Sequence, residues 1–337
     1  MSNLEDDPDE VTCASGSNDA VEVLEPRDVP LGGPRAMQVR RTLPQRGRSL
    51  IGAWCFVDHY GPDDVTDSGG MSVAPHPHTG LQTVSWLFTG EIEHRDSAGN
   101  HAMVRPGEVN LMTAGRGISH SEVSTPATTE LHGAQLWVAL PDGDRDAEAG
   151  FAHHAPEPVT GDRWEARVFL GSLLGETSPV PTYTSLLGAE IVLAPGGSVD
   201  LDVDEEFEHG VLVDSGVVEV AGVEVKQHAL AYVPPGRTRL TIGSATQPAR
   251  VLLLGGPPFE ESIVMWWNFV GRSHEEIVAF RAEWQDQLTR DGSVAGVVGV
   301  VGDAQEMADG RFGIVVGDHL PPIPAPELPN ARLKQRR

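Results

Sequence analysis

Between residues 37 and 140 the chain falls into short runs of β-forming residues, such as Gln82-Thr83-Val84-Ser85-Trp86-Leu87-Phe88 and Ala134-Gln135-Leu136-Trp137-Val138-Ala139-Leu140, separated by Gly, Pro, Asp and Asn. Runs of this length bounded by turn formers predict an antiparallel sandwich or barrel. A polar stretch from Pro141 to Pro156 interrupts the pattern, and strand signals resume near Ala166 and continue to Gly255. The pattern therefore predicts two β-domains joined by a linker. The halves share a rhythm: Leu87–Gly90 with a return through Pro106-Gly107-Glu108-Val109 is matched by Leu212–Gly216 with a return through His228–Gly236, the mark of an internal repeat.

One segment has a helical period. Ser273 and Glu276 form a capping box, Ile277, Phe280, Trp284 and Leu288 share one face, and Asp291-Gly292 is a stop signal, which together predict a helix over 274–290 packed on a sheet. Residues 1–26 carry eight acidic and no basic residues, too little apolar surface to repay ordering, and read as a disordered tail. The predicted organisation is a first barrel at 27–145, a linker at 146–160, a second barrel at 161–325 that includes the helix, and a flexible tail at 326–337.

Composition narrows the function classes. The 337 residues carry 24 Lys+Arg against 49 Asp+Glu, a formal charge of −25, which repels phosphate backbones and argues against direct nucleic-acid binding. With only Cys13 and Cys55 there is no disulfide framework and no cysteine zinc site. The acidic start lacks a signal peptide's features, and no run reaches the ~18 apolar residues of a spanning helix. These features predict a soluble cytoplasmic protein without membrane contact. Cys55 reads as a core thiol, and the run Arg40, Arg41, Arg46 and Arg48 as a strand edge paired with acidic neighbours.

The candidate chemistry lies in two short motifs. In Pro75-His76-Pro77-His78 the imidazoles at i and i+2 point to one face of a strand and can reach one ion. Thr113 to Glu122 repeats the arrangement with His120 and Glu122 after the Gly-rich turn Gly115-Arg116-Gly117. Two such pairs can close a four-ligand site. His94, His101 and His132 read as structural or exposed histidines of the same barrel, and His153-His154 as exposed residues of the linker.

These residues, with Phe56-Val57-Asp58-His59-Tyr60-Gly61-Pro62, His76-Pro77-His78-Thr79-Gly80-Leu81-Gln82-Thr83-Val84, Met112 to Glu122 and Gln135-Leu136-Trp137-Val138, resemble the pirin family of the cupin superfamily. Ile263-Val264-Met265-Trp266-Trp267-Asn268-Phe269 and Arg311-Phe312-Gly313 resemble its bacterial members, so the resemblance covers roughly residues 37 to 325. It implies an all-β bicupin, two jelly-roll-like β-sandwich barrels with a C-terminal helix and one mononuclear metal in the first barrel. The implied ligands are His76, His78, His120 and Glu122. Fe(II) is the first choice, although the ligand types also suit Mn, Ni, Co, Cu or Zn. Thr79-Gly80-Leu81-Gln82 departs from the Arg-Gly-Phe-Glu of many pirins, which places Gln82 as a neutral neighbour able to tune the site. His59 reads either as a cavity-lining residue that orients a ligand or as a structural hydrogen bonder.

The repeat register sets Asp202 and Asp204 opposite His76 and His78 in the second barrel, and the cluster Asp200, Asp202, Asp204, Glu205, Glu206 and Glu208 reads as a solvated loop without metal. The resemblance further implies a quercetin 2,3-dioxygenase-type oxygenase for a small aromatic substrate; Glu122 is then expected to act as both ligand and base, and His59 and Gln82 are the next residues expected in the substrate pocket. The alternative it implies is a redox- or metal-sensing regulator that binds a protein partner. A metal-independent sugar epimerase on the same fold would need a polar cavity without four metal ligands.

Overall fold

The computed structural model describes residues 20–31, 37–244, 246–290 and 310–336. The first barrel uses β1 (Glu22–Leu24) nowhere and β2 (Arg27–Leu31), β3 (Met37–Leu43), β4 (Trp54–Asp64), β5 (Ser72–His78), β6 (Leu81–Thr89), β7 (Ile92–Asp96), β8 (His101–Val104), β9 (Val109–Thr113), β10 (Ile118–Ser124), β11 (Glu130–Ala139) and β12 (Gly150–His154) throughout. They form a large sheet, β12-β9-β6-β11-β4-β3-β2, and a small one, β5-β10-β7-β8. The next strands are β13 (Val159–Gly161), β14 (Trp164–Leu170), the hairpin β15 (Ser172–Leu173) and β16 (Glu176–Thr177), then β17 (Leu187–Leu193), β18 (Ser198–Asp202), β19 (Glu208–Ser215), β20 (Val218–Val220), β21 (Val223–Val225), β22 (Leu230–Val233), β23 (Arg239–Ser244) and β24 (Ala249–Gly256). They repeat the plan in a large sheet, β1-β22-β19-β24-β17-β14-β13, and a small one, β18-β23-β20-β21. The matching strand orders give the repeat seen in the sequence its structural meaning.

Two expected boundaries are corrected. Residues 22–24, placed in the acidic tail, form β1 on the edge of the second barrel, with Glu22 opposite Tyr232 and Leu24 opposite Leu230. Leu24 is buried there, and one anchored apolar side chain together with ladder hydrogen bonds is what the compositional reading did not count. Residues 1–19 lie outside the described residues. Residues 150–154, placed in the linker, form β12, and Phe151 pairs with Met112 at the edge of the first barrel. A polar composition is compatible with an edge strand, because one face and one side of it meet solvent.

The large sheets pack face to face. Alternation along each strand sends Val84, Trp86, Leu111, Ala134 and Leu136 of the first barrel, and Leu212, Leu230, Leu252 and Leu254 of the second, into one shared core. Trp86 stacks on Phe169 with ring centroids 4.6 Å apart, and Trp54 Nε1 donates to Gly255 O at 3.2 Å. Gly52, with φ of +51°, comes so close to Gly256 that an added Cβ would sit 2.8 Å from its Cα, so the junction requires glycine there. Glu208, placed in the solvated loop, instead accepts the Gly52 N–H at 2.7 Å across this junction.

After β24 the chain leaves the second barrel and returns to the first. The hairpin β25 (Val264–Trp266) and β26 (Phe269–Gly271) is followed by α1 (His274–Arg290). Helix α1 begins as predicted: Glu276 N donates to Ser273 Oγ at 3.2 Å, while Glu276 Oε2 accepts from Arg272 N at 2.8 Å. Its stop signal lies outside the described residues. Ile277, Trp284 and Leu288 pack with Trp267, Phe269 and Phe312 in a separate aromatic cluster. The segment from 310 onward lies against the first barrel: Ile323 N donates to Pro75 O at 2.8 Å and Ser119 Oγ to Gly313 O at 3.4 Å. The expected flexible tail is corrected in part, since Arg336 is buried and pairs by backbone with Ile263. Among the described residues no helix is long and apolar enough to cross a membrane.

A candidate metal centre inside the first barrel

The inner face of the small sheet β5-β10-β7-β8 is polar and buried. Antiparallel pairing sets His120 opposite His76 on one side and opposite Asp96 on the other, with Glu122 opposite His94. The register slips between β5 and β10, so that Glu122 faces Val73 and one extra residue lies in the Ala74-Pro75 stretch. Pro75 has no N–H for the ladder, which suits it to a bulge, and bulges re-aim the side chains beside them. Here the Ala74 carbonyl accepts from His76 Nδ1 at 2.9 Å.

His78 is oriented from a distant part of the chain. Its Nδ1 donates to the backbone carbonyl of Asn268 at 3.1 Å, in the turn between β25 and β26. That turn holds Trp267 at φ of +53° although its side chain is buried, an uncommon conformation for an aromatic residue and a place where the fold stores strain. Gly80, with φ of +66°, permits the approach, since a Cβ there would sit 2.4 Å from Val270 O.

With Nδ1 protonated toward a carbonyl, His76 and His78 each present a lone pair on Nε2. His78 Nε2 lies 3.1 Å from His120 Nε2, the three rings stand 4.4 to 5.0 Å apart between centroids, and His76 Nε2 is buried without a hydrogen-bond partner. Nitrogens bound at about 2.1 Å to one ion and at right angles to each other would stand roughly 3.0 Å apart. Burial pushes the His76 imidazole down to about 3 and those of His78 and His120 well below their ordinary value, with neighbouring imidazoles adding to the effect. Neutral imidazole is the form that ligates metals. One donor atom from each of His76, His78 and His120 fits within a single metal-sized cluster.

Glu122 reaches this cluster through His120. It groups with His120 and His94, is buried, and accepts a hydrogen bond from Ser85 Oγ at 3.4 Å. Ser85 Oγ also lies 2.8 Å from Gln135 Oε1, so its single proton is shared between the two oxygens. His94, read from sequence as structural or exposed, is buried with its Nδ1 3.4 Å from His120 Nδ1 and its Nε2 3.3 Å from Asp96 Oδ2. Asp96 is held below the usual carboxylate range: burial would raise it, but the bonds from His94 and Asn100 outweigh that. Tyr60, on the inner face of β4, is buried with an unpartnered hydroxyl, and burial together with the Glu122 charge pushes it well above its ordinary value. Trp137 meets His78 edge-on at 5.2 Å and stacks on Phe56, over which Arg41 sits at 4.3 Å. Arg41 is buried rather than on an open edge and forks onto Asp58 with contacts of 2.7 and 2.8 Å.

His59 and Gln82 are not brought to this cluster. Strand side chains alternate, and Gln82 shares the face of Val84 and Trp86, turned toward the second barrel, where its Nε2 donates to Thr113 Oγ1 at 2.9 Å. His59 shares the face of Val57, and its Nε2 lies 2.8 Å from Asp214 Oδ1 of the second barrel. This parity corrects the expected place of Gln82 in the substrate pocket, and of the two readings of His59 it leaves the structural hydrogen bonder. Tyr60, Ser85, Gln135 and His94 take their place on the inner face. Ser85 lies three residues beyond Gln82, which places it on the opposite face of the strand.

Comparison with known proteins agrees with this architecture. The Pirin family model matches residues 36–138 and the Pirin C-terminal cupin domain matches residues 188–289. A Pseudomonas aeruginosa protein named “Putative quercetin 2,3-dioxygenase” is 43% identical over 278 residues, covering 81% of this chain and 86% of its own. A pirin-like protein of Caulobacter vibrioides is 37% identical over 258 residues, 74% of this chain and 88% of its own. The crystal structure of a quercetin 2,3-dioxygenase from Acinetobacter baumannii superposes with a TM-score of 0.80 at 36% identity, covering 92% of this chain and 96% of that one. With both barrels matched and the repeated sheets in place, the chain belongs to the pirin family.

Proposed function

We propose that this protein is a mononuclear metal-dependent oxygenase of the quercetin 2,3-dioxygenase type, that its metal is Fe(II) held by His76, His78, His120 and Glu122, and that it acts in the cytoplasm on a small aromatic substrate with an ionisable hydroxyl. The observation that carries the reading is the convergence of three buried imidazole nitrogens, with His76 Nε2 lacking a hydrogen-bond partner among the described residues. The names borne by the Pseudomonas and Acinetobacter relatives support the substrate class. When bound, the ion supplies Lewis acidity toward a substrate oxygen and a redox partner for dioxygen.

The remaining work falls to side chains of this chain. Glu122 is the base that takes the substrate hydroxyl proton, within a site from which bulk water is excluded by burial. Ser85 holds Glu122 Oε1 in place, and the Tyr60 hydroxyl offers a donor to a substrate oxygen near the same carboxylate. Trp137 gives the aromatic substrate an apolar wall beside His78. The Asn268 carbonyl fixes the His78 tautomer.

The test combines elemental analysis of untagged protein with anaerobic Fe(II) reconstitution and oxygen uptake on adding quercetin. Uptake that requires both iron and quercetin, and vanishes in Glu122→Ala, is expected. Stoichiometric iron without turnover would remove the oxygenase reading and leave a metal-sensing protein with a protein partner. Absence of metal would remove both.

A further inference from the structure

A second convergence of ligand atoms lies outside the barrel interior, at the seam between the two large sheets. His59 from β4 and His132 from β11 both turn Nε2 toward the same oxygen, Oδ1 of Asp214 on β19, at 2.8 and 2.5 Å. All three side chains are buried. The other oxygen, Oδ2, is held by Arg250 Nη1 at 3.3 Å, and Arg250 also pairs with Glu190 at 3.0 Å. Oδ1 is thus the oxygen left for the imidazoles.

With the partners present, neither neutral tautomer of His59 satisfies both of its ring nitrogens. A proton on Nε2 satisfies Asp214 but leaves a buried lone pair on Nδ1, which has no partner. A proton on Nδ1 turns the Nε2 lone pair onto the carboxylate, lone pair against lone pair. A divalent ion between Nε2 and Oδ1 removes that clash and leaves Nδ1–H as a donor. The ring of His228 stands 5.2 Å from that of His59, and its own Nδ1 is buried and unpartnered. It is held in place by a backbone at φ of +70° whose N–H donates to Val213 O at 2.7 Å.

We propose that His59, His132 and Asp214 form a second metal site, separate from the cluster in the barrel, which binds a zinc-class divalent cation and fastens the two barrels to each other. Two imidazoles and one carboxylate suit such an ion, with water in the fourth position. Loading would open the nitrogen-to-oxygen spacings by about 0.5 to 0.8 Å, toward the roughly 3.3 Å of tetrahedral ligands.

The experiment uses the full-length His76→Ala/His120→Ala variant, in which the barrel cluster is destroyed, titrated with Zn(II) against a chromophoric chelator and separately with Co(II). One equivalent of Zn(II) per chain, a tetrahedral Co(II) visible spectrum and a rise in thermal midpoint are expected. Adding Asp214→Asn or His132→Gln should weaken binding by about 100-fold or more and abolish the rise. A folded variant that takes up no Zn(II), or Co(II) with a spectrum like that of the free hexaaqua ion, would overturn the proposal in favour of a hydrogen-bonded seam. Where the Asp214→Asn protein fails to fold, X-ray absorption on the loaded parent variant decides: two imidazoles in the zinc shell support the site, and an oxygen-only shell removes it. Wild type should bind two equivalents. One equivalent in both wild type and the double variant would leave the seam site standing and remove the barrel site.

Discussion

The two barrels share a sheet plan but not an interior. In the second barrel β18 alternates cleanly, with Val199 and Leu201 buried and Ser198, Asp200 and Asp202 exposed, and its small sheet closes over Val218, Val220, Leu240 and Ile242. Asp202 and Asp204, the residues that the repeat sets opposite His76 and His78, face solvent. In the first barrel β5 is buried along its last four residues, His76 and His78 among them. An apolar interior needs only its own two sheets. A polar one also needs partners that orient its ligands and cover over its small sheet, since a buried polar group without a partner costs about 1 to 3 kcal/mol. The C-terminal extension supplies this cover, with Asn268 O on His78 and Ile323 N on Pro75 O.

The strongest test of that difference is His76→Ala with His120→Ala, which should abolish stoichiometric metal at the barrel cluster by elemental analysis once the seam equivalent is subtracted. Retention of the full wild-type metal content would mean that the first barrel is as inert as the second. Next, Trp86→Ala removes the ring stacked on Phe169 and should cost about 3 to 5 kcal/mol in denaturant melts. One shifted transition is expected, and two separated transitions would show that the barrels unfold independently.

The second barrel also holds a buried histidine, His209, with both ring nitrogens unpartnered and its imidazole pushed down to about 4 by burial. A lowered histidine leaves stability untouched above its ordinary value near 6.5, and stability falls with pH below that because the unfolded chain takes up the proton first. Between pH 7 and pH 4 this ring should cost up to about 3 kcal/mol, a loss that His209→Leu should remove in melts at both pH values. An unchanged slope would mean that the ring is hydrated. Smaller still are two glycine substitutions. Gly80→Ala collides with Val270 O and, by shifting the hairpin whose Asn268 carbonyl orients His78, should weaken metal binding by about 10- to 100-fold. Gly222→Ala in the second barrel has φ of +87° but nothing within 4 Å, and should cost only about 1 kcal/mol of strain, with metal content unaltered.

Much of this comparison was legible in the chain. Short runs of β-formers between turn residues foretold both barrels, the capping box at Ser273 foretold α1, and the spacing of His76 and His78 with His120 picked out residues that converge. Facing was harder. Gln82 was misplaced and His59 left between two readings because a strand's parity relative to the core depends on where the pairing register falls, and the irregularity beside Pro75 is a feature of two paired strands rather than of one sequence. His94 carried no spacing signal, and Asp214 meets His59 across 155 positions of sequence. A polar residue that such a distant partner satisfies looks, in the sequence alone, like any surface residue.

The placement of one edge strand has a consequence for how the molecule is made. β1 is synthesised before either barrel yet belongs to the second, while β12 is the last strand of the first. As the chain emerges from the ribosome, the first barrel can close once residue 154 is available, whereas Glu22 must wait for Tyr232. Contacts of such sequence separation form slowly. Until they do, β22 is an open edge able to recruit a neighbouring chain. A gene cut between the barrels would therefore give a first half whose β1 has no sheet to join and a second half with a permanently uncapped edge.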